Sequence, residues 1–198
     1  MEPFEYPAAA HVRRHQPRGY LDVSSFLPWL RDGFCFRCVY CLRREQWDVV
    51  ASLHIDHFLP VSQFPLQQLS YDNLLYACSR CNLIKGSLAV GNPTHHLLAC
   101  NVAIAAHGEL ITADSECLRL IAQLRLNSSE MIHFRRLWLE IIAMARECNP
   151  QLHLQLMGFP ADLPDLRLLK PPSGNGKPSG IEQSYLVQRE RGELPSLY

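Results

Sequence analysis

Two Cys-x-x-Cys pairs, Cys38 with Cys41 and Cys78 with Cys81, lie far apart in the chain. Each pair can set two thiolates on one side of a turn, and the four together make a tetrahedral structural Zn²⁺ site. The gap between the pairs exceeds that of a compact zinc ribbon, so a strand, a loop and a second strand must be threaded between the halves of the clamp. Cys35, three residues before Cys38, competes as a ligand. The tight turn at Val39-Tyr40 leads into the strand side and favours Cys38, which leaves Cys35 as a packing residue. Free buried thiols are the alternative to metal. Met1 is followed by acidic, Pro-containing sequence with no apolar leader segment, which predicts a reducing cytoplasm, where clustered cysteines usually mean metal.

The 198 residues predict one compact domain with extensions, and 47% hydrophobic content is globular. Nineteen basic residues cancel nineteen acidic ones, which argues against tight indiscriminate binding to nucleic acid through bulk charge. The zero hides a local excess: between His11 and Arg44 seven Arg face only Asp22 and Asp32. No apolar run is long enough to span a membrane; the best, 137–145, is short and interrupted by Glu140.

Along the chain, 24–31 reads as a short helix, 49–55 as a strand leading into HIDHFLP, 74–77 as a second strand and 79–88 as a helix ended by Gly91-Asn92-Pro93. NVAIA and ELITA flank His107-Gly108 as a hairpin. Asp114 caps a helix over 115–126, and Ser128 or Ser129 opens another running to about 147. In the latter, Met131, Phe134, Trp138, Ile141, Ile142 and Ala145 form one apolar stripe, with Arg135, Arg136 and Arg146 off it and solvated. From about 163 the density of Pro and Gly excludes regular elements, and apolar points such as Tyr185 and Tyr198 favour an extended arm over a flexible tail. The divisions are an N-terminal extension (1–34), a core with the thiol site (35–95), a hairpin and helical region (96–162) and the arm (163–198).

Between and around the cysteines, the strings IDHFLP, YDNLLYAC and CSRCNLIKG resemble the HNH endonuclease family over roughly residues 38–88. The third family position, often His, is Asn82, making this an HNN variant. The resemblance implies an α+β fold: a ββα-metal nuclease core clamped by the four-Cys zinc site, then a hairpin, helices and an irregular arm. It also implies that Asn73 orients the loop carrying His57.

Phosphodiester hydrolysis needs an activated water and a cation on the scissile phosphate. Histidine is the only residue type among these whose unperturbed pKa lies near neutrality, which makes His57 the candidate general base. Asp56 and Asn82 offer hard oxygen ligands, and two protein ligands leave positions open, which suits Mg²⁺ or Mn²⁺. A short amide at Asn73 is suited to pinning the imidazole. His54 shares a strand face with Asp56 and reads as structural; His95-His96 reads as a surface loop. Arg80 and Lys85 are candidate phosphate contacts, flanked by Arg13, Arg14, Arg18, Arg37, Arg43 and Arg44.

The reading is therefore a DNA endonuclease that nicks as a monomer, set against a non-catalytic zinc-stabilised module that binds nucleic acid or protein. The extensions suit docking on a protein partner. By family analogy, that points to a controlled effector in bacterial anti-phage or CRISPR-like defence.

Overall fold

A two-stranded antiparallel hairpin and the helices packed on it position everything of functional interest. The computed structural model describes residues 2–47, 53–99 and 102–198. The first helix, α1 (Leu27–Gly33), follows a 3₁₀ turn at Ser24–Phe26, with Pro28 in its first turn where a missing N–H costs nothing. Strand β1 (Leu53–His57) pairs with β2 (Leu74–Cys78), Leu53 facing Cys78 and His57 facing Leu74. The expected strand over 49–55 thus begins, among the described residues, at Leu53; 49–52 lie outside them.

All five residues of β2 are buried, which accounts for its continuous apolar run rather than an alternating one. Helices α1 and α2 (Ser79–Lys85) both pack on the hairpin. Three residues shorter than the 79–88 expected, α2 stops at Gly86, whose φ of +48° suits a residue without Cβ.

Beyond α2, His95 and His96 sit in a short helix, α3 (Pro93–His96), capped by Asn92, and not in a loop. A small hairpin joins β3 (Ala103–Ile104) to β4 (Leu110–Ile111), as expected; Asn101 at its start lies outside the described residues. The Asp114 carboxylate accepts from the Cys117 amide at the head of α4 (Ser115–Gln123). The long helix α5 (Ser129–Cys148) buries Met131, Ile142 and Ala145 and stacks Trp138 on Trp47 at 4.4 Å. Arg135 departs from expectation. It is fully buried and donates to the carbonyls of Gly108 and Leu126 and to Asn127 Oδ1, tying α5 to the hairpin turn. Helix α6 (Pro150–Met157), capped by Asn149, was not legible as a separate element.

The Pro/Gly-rich arm does contain regular structure, two 3₁₀ turns and a helix, α7 (Tyr185–Glu190). Local side-chain and backbone bonds overrode the breakers. The arm folds back along the N-terminal segment: Ser173 donates to the Gly19 carbonyl, Asn175 bridges Arg18 N and Gln16 O, and Tyr185 N donates to Asp32. A Cβ on Gly19 would lie 1.6 Å from the Ser173 carbonyl oxygen, so only glycine permits this approach. Tyr198, 4% exposed, closes a small apolar cluster with Phe36 and Leu163. Of the apolar points expected to dock on another protein, Tyr198 is buried within the chain, and Tyr185, Leu186 and Leu194 are half-buried against the same cluster.

A single larger core runs from Phe4 through α1, the hairpin, α4 and α5 to Leu166. Among the described residues no helix is long and apolar enough to cross a membrane.

Candidate active site

The sulfur atoms of Cys38, Cys41, Cys78 and Cys81 lie within 4.8 Å of one another, and all four residues are buried. Cys41 Sγ and Cys78 Sγ are 3.7 Å apart. Two corners of a tetrahedron with Zn–S bonds of about 2.3 Å are separated by about 3.8 Å. Burial pushes the Cys38 thiol well up, and its hydrogen bond with Cys38 does the same to Cys81, while bonds from the other three thiols pull Cys78 down. Four thiolates held this close need a cation at the centre. The donor set fits Zn²⁺. Cys35 stands outside it, with its sulfur 2.6 Å from the Tyr185 hydroxyl, so Cys38 is the cluster member.

Above this clamp runs the seam between β1 and α2. His54 and Asp56, two apart on β1, reach the helix at different heights: His54 Nε2 lies 3.1 Å from Ser79 Oγ, and Asp56 Oδ1 accepts from Lys85 Nζ at 3.0 Å. Ser79, Asn82 and Lys85 are spaced by three and share one helix face. Asn82 therefore lies midway along the seam, and its side-chain amide makes no hydrogen bond among the described residues. Asp56 is 4% exposed, with Oδ2 accepting from the Tyr40 hydroxyl at 2.6 Å. Burial raises its carboxyl above the usual range, and Lys85 and Tyr40 pull against that rise. An ionised carboxylate accepts about four bonds, so two sites remain on Asp56. Asp56 and Asn82 are of the residue types whose hard oxygen donors a divalent cation would take.

His57 ends β1, its Nε2 3.0 Å from the Gln68 carbonyl oxygen. A carbonyl only accepts, so Nε2 carries a proton, and in the neutral ring Nδ1 keeps the lone pair. Asn73, 4% exposed, does not touch the imidazole, contrary to the direct pinning expected of a short amide. It accepts from Leu59 N at 2.7 Å and donates to the carbonyls of Leu59 and Gln67, both at 3.1 Å. These bonds brace the loop whose next carbonyl, Gln68, holds His57. Residues 58–70 include no charged side chain, and Leu66 at the loop's tip is 96% exposed.

The basic residues are placed otherwise than expected. Arg44 is fully buried, lies 4.2 Å from the Tyr198 ring centroid, and donates to the Met157 carbonyl, so it cannot reach a phosphate. Burial and neighbouring Arg37 lower its guanidinium to about 9. Arg43 sits over Phe134, and Arg80 donates to Arg125 O and Ser128 Oγ at the head of α5. Lys85, 1% exposed, is occupied by Asp56 and by the His57 carbonyl at 2.6 Å. Arg13 packs against Phe34 and Tyr71, Arg14 against Tyr185, and Arg37 against Tyr198. The Arg-rich stretch mainly holds the N-terminal segment and the arm together. Tyr40 and Gln68 are the site residues that sequence reasoning missed. Tyr40 was visible inside the first Cys-x-x-Cys, but Gln68 acts through its backbone and leaves no side-chain signature.

A short hairpin and one helix, pinned at the base by four thiols and carrying a histidine at the strand end, define a thiol-clamped hairpin-helix domain. Residues 38–88 match the family model described as HNH endonuclease. The match points to nuclease activity as a general class, for which nucleic acid is the substrate. No curated protein matches the chain.

Proposed function

We propose that the chain is a metal-dependent DNA endonuclease in which His57 Nδ1 takes the proton from the attacking water. The observation that carries this reading is the tautomer imposed on His57 by the Gln68 carbonyl, at the end of the strand that also bears Asp56. Gln68 keeps the ring oriented and stabilises the imidazolium once the proton arrives. Asn73 is a positioning residue, acting on His57 through the loop it braces. Mg²⁺ or Mn²⁺ on the Asp56 and Asn82 oxygens would supply Lewis-acid stabilisation of the phosphate and the leaving oxygen. One such site cuts one strand, so a monomer nicks.

A partner-controlled defence role draws no support from the arm, which is packed within the chain. The test is nicking of supercoiled plasmid in Mg²⁺ or Mn²⁺. His57→Ala is expected to slow it by about 10²- to 10⁴-fold while the fold is retained. If neither wild type nor variant nicks while both bind DNA equally, the zinc-stabilised binding module is the correct reading.

A further inference from the structure

Lys85 is the buried charged group for which phosphate contact offers no use. Its ammonium is 1% exposed and sits in a cradle of oxygens: Asp56 Oδ1 at 3.0 Å, the His57 carbonyl at 2.6 Å and the Gly86 carbonyl at 3.5 Å. A buried ammonium needs such compensation, and Asp56 is its only carboxylate partner among the described residues. Asp56 is also the only carboxylate on β1, the strand against which the helix bearing Asn82 packs. A divalent cation arriving there meets a carboxylate already neutralised by a fixed positive charge, and the two cations repel at short range.

We propose that Lys85 is a resident counter-cation of Asp56 that a divalent ion must displace, so that Lys85 sets the metal affinity of the site. This rests on the reading of Asp56 as a cation ligand. With the ammonium in place, Asp56 is neutralised and the β1 end is tied to α2. As the metal takes Asp56, Nζ leaves Oδ1 and moves outward past Gly86 toward solvent. Lys85 then belongs to the binding equilibrium and is a positioning residue for it.

Two measurements test this on the zinc-loaded chain. Mn²⁺ affinity, read by electron paramagnetic resonance of the free ion, is expected to rise at least tenfold in Lys85→Gln and to return close to the wild-type value in Lys85→Arg. The second uses unmodified protein. The chain has three lysines, Lys85, Lys170 and Lys177. Acylation followed by mass spectrometry should find Lys85 protected without Mn²⁺ and labelled when Mn²⁺ saturates, with Lys170 and Lys177 labelled equally in both. Mn²⁺ that binds wild type while leaving Lys85 protected overturns the proposal, whether or not the variants fold; so does an affinity unchanged or weakened in a folded Lys85→Gln. Mn²⁺ binding that survives intact in Asp56→Ala instead removes the reading of Asp56 as ligand, and the proposal with it.

Discussion

The thiol-clamped centre and the C-terminal arm are both poor in regular structure, yet they are held by unlike means. The centre has two five-residue strands and a seven-residue helix. Elements so short cannot hold themselves together, and four thiols at their base offer one multidentate link in place of many weak ones. The arm has one six-residue helix and is held by many separate contacts: aromatic rings, guanidinium stacking and backbone bonds to residues more than 150 positions away. Losing the centre's link should be all-or-none, whereas the arm should loosen by degrees.

The sharpest way to break the comparison is to remove the clamp. Cys81→Ser is expected to release zinc and unfold the hairpin and α2, since structural zinc contributes about 10 kcal/mol or more to folding of small sites; zinc stoichiometry and thermal melting would read both at once. Tyr198→Ala comes next. It opens the cluster around Phe36 and is expected to cost about 3 kcal/mol, in line with aromatic truncation in a core, while zinc content stays at one per chain. A loss of zinc in that variant would show that the two regions are not separately held.

Asn73→Ala acts inside the centre without touching the clamp. Leaving the Leu59 and Gln67 groups unpaired is expected to cost about 1–3 kcal/mol, with nicking reduced more than DNA binding because His57 loses its fixed carbonyl. The N-terminal segment under the arm should be acid-sensitive. His11, stacked on Phe34 at 4.7 Å, is lowered to about 4 by burial and by Arg13 and Arg14. The unfolded chain takes up that proton near the ordinary histidine value of 6.5, so the stability His11 contributes is complete above that pH and is lost as pH falls toward 4. Melting temperatures of His11→Phe should fall less than those of wild type across this window. The smallest effect is expected at Arg167, whose ion pairs with Asp165 and Glu190 are on the surface; Arg167→Ala should leave the melting temperature unchanged.

Much of the centre was legible from residue types alone. Cysteine spacing named all four cluster members, and the branched apolar run leading into HIDHFLP and the short apolar run of β2 located the hairpin to within a residue or two at the ends described. The helix after Cys78 was expected, with only its stop misplaced, because Gly86 ends it earlier than the later Gly91-Asn92-Pro93 signal. The arm was misread in the opposite sense. Its prolines and glycines reported a lack of local propensity, and its apolar side chains suggested a partner, but their partners were in the same chain and far away in sequence. Arg135 and Arg44 were misplaced for a related reason: a guanidinium off an apolar stripe looks solvated unless the carbonyls that receive it can be located.

What the amino-acid sequence determined by itself was the chemistry available: four thiols in two turns, a histidine at a strand end, a carboxylate beside it and an amide on the following helix. Those follow from residue identity and short-range periodicity, which a linear chain already contains. The tertiary structure decided how those groups are engaged. Backbone carbonyls of Gln68 and His57, brought near by a loop and a helix, select the His57 tautomer and hold Lys85 on Asp56. A carbonyl is present at every residue, so only folding can single out the one that acts.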